Sequence, residues 1–152
     1  MQTEYDGVIA FGCVAPDALL PNQLLYERAR EFGKKYSLPV ILQGEFTTQM
    51  RIEGYVSTLR LLGVIRRVTQ KNGVRWKRIL IVASPDHTPR VLRDARLCGF
   101  WKAEADDYFV GRGAEFFSPL SNQWWTRSRW LFLPRELILR HMPWELYRRI
   151  AG

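Results

Sequence analysis

The sequence predicts an α/β protein of three layers, with a mostly parallel sheet covered by helices on both faces and a Trp-rich helical segment closing the C-terminus. Short apolar runs rich in strand formers alternate three times with apolar stripes at three- and four-residue spacing. Strands separated by helices pair in parallel. The runs also lack the polar alternation of a half-exposed strand, so both faces of the sheet are expected to be buried.

Residues 7–12 are the first such run, bounded by Asp6 and Gly12. A loop to Leu20 follows, and Pro21 opens a helix whose stripe is Leu25, Ala29, Phe32 and Tyr36. Leu38 and Pro39 end it. Val40, Ile41 and Leu42 form a second strand that stops at a Gln43-Gly44-Glu45 turn. Thr47 or Thr48 caps the next helix, which runs through Ile52, Tyr55, Val56, Leu59 and Leu62 to Gly63. The third strand, residues 78–83, is the clearest in the chain. Thr88 is the expected N-cap of the helix after it, with Pro89 at the first helical position and Gly99 as the stop. Residues 101–110 add a fourth strand. Residues 121–152 are helical in pattern, interrupted by Pro134 and Pro143, and carry four of the six tryptophans. No repeat or linker divides the chain, which is expected to form one domain over residues 1–152.

Hydrophobic residues make up 47% of the chain and charged residues 25%, which excludes a disordered or collagen-like chain. Against 15 acidic residues stand 23 basic ones, giving a net charge of +8 that points to an anionic partner. Cys13 and Cys98 are the only cysteines and His87 and His141 the only histidines, so a zinc site lacks its ligand set. The two thiols are expected to be reduced. No basic stretch followed by an apolar run marks a signal peptide, and no apolar run reaches the ~20 residues that span a bilayer. A cytoplasmic protein is the expectation.

In an open parallel sheet, ligands bind beyond the carboxyl ends of the strands. Three loops qualify: residues 12–20, 43–48 and 84–89. The third has the richest chemistry. Ser84, His87 and Arg90 surround a helix N-terminus, where free N–H groups favour anions. Arg90 would clamp a phosphate or carboxylate, and His87 would act as donor or tentative catalytic acid/base. The structural alternative is that His87 bonds the loop and Arg90 pairs with an acidic neighbour. Gly44 allows close approach of a ligand, with Glu45 on the same rim and Glu53 pointing back from the following helix. Either glutamate could partner His87. The chain has no GxGxxG, Walker lysine or GxSxG elbow.

Residues 6–12, Arg28, residues 40–44, Glu53, and above all Ile81 to Arg90 with its His87-Thr88-Pro89-Arg90 tetrad, resemble the YdcF/SanA/ElyC-like family. That family is a group of bacterial α/β domains largely without an assigned reaction. The resemblance implies a Rossmann-like fold with a pocket at the strand carboxyl ends that binds an anionic or nucleotide-like small molecule, S-adenosylmethionine in at least one member. Taken with the residue reading above, it gives expected ligand contacts at Gly12, Arg28, Gly44, Glu45, Glu53, Ser84, His87 and Arg90, and the resemblance implies a link to cell-envelope processes. The sequence departs from the family pattern at Cys13, Gln43 and Glu45. It departs again in the basic interval 63–77, where only the Thr69/Asn72 spacing is kept.

Two other partner classes follow from the residues themselves. Arg66, Arg67, Lys71, Arg75, Lys77 and Arg78, with Trp76 for stacking, are what a nucleic-acid surface would use. No readout motif accompanies them, and nucleic acid is the less favoured partner. Residues 124–133 interleave tryptophans with arginines, the composition of an interfacial helix making peripheral membrane contact. The bland alternative, which the sequence favours, is that Trp124, Trp125 and Leu131 cover one face of the sheet.

Overall fold

The computed structural model of the protein describes residues 4–53 and 56–151. Four strands form one parallel sheet in the order β2-β1-β3-β4, with β1 at Gly7–Ala10, β2 at Val40–Leu42, β3 at Arg78–Val82 and β4 at Lys102–Ala105. In register, Ile9 lies beside both Ile41 and Ile81, and Ile81 beside Ala105. The two central strands are buried on both sides, and their two-residue period sorts the core. Ile9, Phe11, Ile79 and Ile81 pack with Leu61, Leu62, Ile65, Val91 and Ala95 from α3 (Thr58–Lys71) and α4 (Thr88–Leu97). Val8, Ala10, Leu80 and Val82 pack with Leu25, Tyr26 and Ala29 from α1 (Leu20–Tyr36). The result is a three-layer, Rossmann-like α/β fold.

The expected helix from Thr47 to Gly63 is instead two. α2 (Gln43–Gln49) starts directly at the end of β2, so Gln43, Gly44 and Glu45 form a helical first turn and not a loop. α3 begins afresh at Thr58, where the Ser57 hydroxyl accepts from the Arg60 N–H at 3.1 Å and supplies the cap. Tyr55, in the expected stripe, lies outside the described residues. Thr88 is not the cap of α4 but its first residue, and its hydroxyl turns back onto the Ser84 carbonyl at 3.0 Å. The fourth strand is shorter than residues 101–110.

Trp76 is buried beneath β1, where a Cβ on Gly7 would come within 2.6 Å of its ring. Its ring therefore packs against β1, whereas the exposed Trp101 stands in a groove with Arg66, Arg75 and Lys77. Cys13 and Cys98 are free, the first buried and the second half-buried. Burial pushes both thiols up, Cys98 to about 11.

The C-terminal segment folds as a 3-10 turn (Trp124–Thr126), α5 (Arg129–His141) and α6 (Trp144–Ala151). Pro143 separates the last two, whereas Pro134 lies inside α5. Trp124 and Leu131 do not cover the sheet: they are exposed, and Trp125 is only half-buried. No helix among the described residues is long and apolar enough to cross a membrane.

Candidate active site at the strand carboxyl ends

After β1 the chain moves outward to β2 and then crosses to β3 on the other side, so the strand order reverses between β1 and β3. The crevice beyond that point is where open α/β sheets hold ligands. A pocket of about 260 Å³ occupies it, bordered by Gly12 to Ala15, Asp17, Gln43, Thr47, Thr58, His87, Gln123, Trp125, Phe132 and Arg135.

The loop after β1 is held by one side chain. Asn22, fully buried in the first turn of α1, accepts from the Cys13 and Val14 N–H groups at 2.8 and 3.2 Å and donates to the Val14 carbonyl at 2.6 Å. Its amide also donates to Asp17 at 3.1 Å. Gly12 donates its N–H to Gln43 Oε1 at 2.9 Å, tying this loop to the start of α2. Gly44 serves this packing: a Cβ there would fall 1.5 Å from Asp17 Oδ2. The absent side chain therefore makes room for Asp17, not for a ligand. Burial raises the Asp17 carboxyl, with Tyr26 and Asn22 acting against that by hydrogen bonding.

Behind the pocket lies a buried polar network. His87 Nε2 is 3.1 Å from Thr58 Oγ1, and His87 Nδ1 is 3.2 Å from both Glu136 Oε2 and Arg90 Nη2. Arg90 donates from Nε to the same Glu136 oxygen at 2.7 Å and from Nη1 to the Tyr147 hydroxyl at 3.4 Å. Tyr147 donates in turn to Asp94 at 2.6 Å. Burial and the adjacent Arg90 cation depress the His87 pKa, so the ring is neutral at pH 7. Burial alone would raise the Glu136 carboxyl, but the polar groups beside it reverse that and hold it at about 2. With His87 neutral, the Arg90 guanidinium is the charge responsible. Asp94 has no such excess of donors: its Oδ1 is unpartnered, and burial pushes it up to about 6.

The structure brings together only part of the expected ligand set. Gly12 and His87 border the pocket, and Arg90 touches it from behind. Arg90, however, is 3% exposed and grips Glu136 in place of a ligand, because a buried guanidinium needs a fixed counter-ion. Ser84 lies under the loop, 1% exposed, and its carbonyl accepts from His87 and Thr88. Glu45 points outward and pairs with Arg30 on α1. Glu53 is exposed on the connection between α2 and α3, outside any helix, since the helix expected to carry it breaks there. Neither is the partner of His87; Glu136 is. Arg28 is elsewhere: it forms a two-pronged pair with Asp106 at 2.8 and 3.0 Å and stacks between Phe32 and Tyr108. Thr69 and Asn72 sit in the last turn and C-cap of α3, with Thr69 bonded to the Arg66 carbonyl.

Glu136, Thr58, Asp17, Gln43 and Arg135 are the pocket and network residues that sequence reasoning passed over as site residues. Glu136 did leave a signal. It is the sole acid between Glu115 and Glu145, and it stands four residues after Phe132 on an otherwise apolar stripe. A charge on the inward face of a helix requires a buried partner.

Comparison of the chain with protein-family models, with curated proteins and with solved structures gave no match.

Proposed function

We propose that the protein is a YdcF-like domain whose pocket binds a nucleotide-like small molecule carrying an anionic group, with S-adenosylmethionine as the type of ligand, in a process connected with the cell envelope. The observation that carries this reading is the convergence of polar groups from the loop after β1, α2, α3, the start of α4 and α5 on one crevice at the reversal of strand order. The crevice has a volume of about 260 Å³ and is open to solvent on one side, so a ligand larger than it would project outward. Its lining offers both signs of charge. Arg135 supplies a guanidinium for a carboxylate or phosphate. Asp17, Gln43 and Thr47 supply acceptors for the hydroxyl and amino groups of a nucleoside or amino acid. His87 is oriented by Glu136 and bonded through Nε2 to the Thr58 hydroxyl, so a proton exchanged with a bound molecule would pass by way of Thr58.

A thermal-shift panel of nucleotides, S-adenosylmethionine and sugar phosphates tests the reading, because a ligand that binds only the native state stabilises it, by about 2.7 kcal/mol at a hundred times Kd. At least one member is expected to raise Tm. The shift should disappear in Gln43→Ala and Arg135→Ala. It should persist in Arg28→Ala, which costs on the order of 1–2 kcal/mol of stability by removing the charged pair with Asp106 but leaves the pocket intact. A panel that produces no shift, or a shift lost in Arg28→Ala and kept in the pocket variants, overturns it.

A further inference from the structure

α5 is apolar on the side that faces away from the protein. Phe132 and Glu136 are buried against the rest of the fold, and Leu139 packs partly against α6. At 100° per residue, Leu133, Leu137, Trp130, His141, Pro134, Ile138 and Leu131 sweep about 160° of the opposite surface. Trp130 is 85% exposed, Ile138 63% and Leu137 59%. A solvated helix face is normally polar, and a contiguous apolar one marks a contact surface. A groove of about 460 Å³ runs along it between Pro89, Trp130, Leu133, Leu137 and Arg140.

The charges around this face identify what it meets. Residues 121–152 hold six arginines and two glutamates. Glu136 is buried and paired, leaving Glu145 as the exposed acid of the segment. Arg129 and Arg140 flank one side of the apolar arc. Arg129 is held by Asp86, which also lines the groove, at 2.8 Å, but among the described residues Arg140 has no ion-pair partner. A second copy of the chain docked face to face would bring these cations together. An apolar protein partner would have no use for them. An anionic bilayer accepts both: the tryptophan and aliphatic side chains enter the headgroup boundary, and the arginines reach phosphate.

We propose that the outward face of α5 docks peripherally on an anionic lipid surface. Trp130, Leu137 and Ile138 insert, and the neighbouring arginines hold the headgroups. The pocket opens on the other side of α5, so docking leaves Arg135 and Trp125 on the protein side.

Co-sedimentation of the full chain with phosphatidylglycerol/phosphatidylcholine vesicles tests this, with tryptophan fluorescence as a second readout. Binding is expected to anionic vesicles, at least tenfold weaker to pure phosphatidylcholine, with a blue shift of the emission. The triple variant Trp130→Ser, Leu137→Ser, Ile138→Ser keeps the net charge unchanged, so a tenfold or greater loss in it cannot come from diffuse electrostatics. Its thermal transition checks that it is folded, and Trp130→Ser alone serves if the triple variant is not. Absence of binding to anionic vesicles overturns the proposal, as does equal binding by the variants. It is likewise overturned if light scattering shows a dimer that the same substitutions dissociate while vesicle binding is absent.

Discussion

On its inner side α5 presents Phe132 and Glu136 to α4 and the pocket, whereas on its outer side it presents Trp130, Leu137 and Ile138 to solvent. The inner side carries the charge and the outer side the large apolar surface, the reverse of an ordinary surface helix. The inner charge is tolerable because Arg90, His87 and Arg135 surround Glu136 with donors. The outer apolar surface has no such compensation within the fold. What the contrast teaches is that helical periodicity finds a stripe but does not say which side the protein occupies.

The largest effect that would test this contrast is on the inner side. Glu136→Ala leaves the Arg90 guanidinium buried without its carboxylate and is expected to cost about 3–5 kcal/mol in urea denaturation. A loss below about 1 kcal/mol would mean that the network does not hold α5 in place. Asp94 gives the next effect, of opposite sign. Burial raises its folded pKa to about 6 from 3.8. Its contribution is therefore complete below pH 4 and is lost as pH rises through 6. Asp94→Asn, which still accepts from Tyr147, is expected to be more stable than the parent at pH 7 by about 1–3 kcal/mol. The advantage should vanish near pH 4. Parallel stability profiles for the two proteins would sink the assignment. Smallest of all, Trp130→Ser is expected to move stability by less than about 0.5 kcal/mol. A large loss there would mean that the tryptophan belongs to the core.

The two central strands are legible because they are buried on both faces and so carry an unbroken apolar run, whereas β4 alternates exposed Lys102 and Glu104 with alanines. The pattern predicts a strand over residues 78–83, and the structure places it at Arg78–Val82. α1 and α4 announced themselves through Pro21 and Pro89. The break between α2 and α3 was hidden because Ile52 and Val56 keep a helical spacing across it, and Val56 is buried even though it lies in no helix. Of the site, His87 and Gly12 were readable from their position just after strands. Glu45 lies off the site because sequence nearness to a loop says nothing about the side of the helix from which a carboxylate projects, and Glu53 because the helix expected to carry it breaks before reaching it.

Local patterning alone thus determined the alternation of strand and helix, the parallel sheet, and the three segments beyond the strand ends that border the pocket, of which residues 43–48 are helical and not a loop. Which side chains enter that pocket was decided by tertiary structure. His87 meets Glu136 across 49 positions, and Arg90 meets Tyr147 across 57. The physical reason is the demand of buried charge. A guanidinium removed from water must find a carboxylate, and the folding of α5 over α4 brings Glu136 to Arg90.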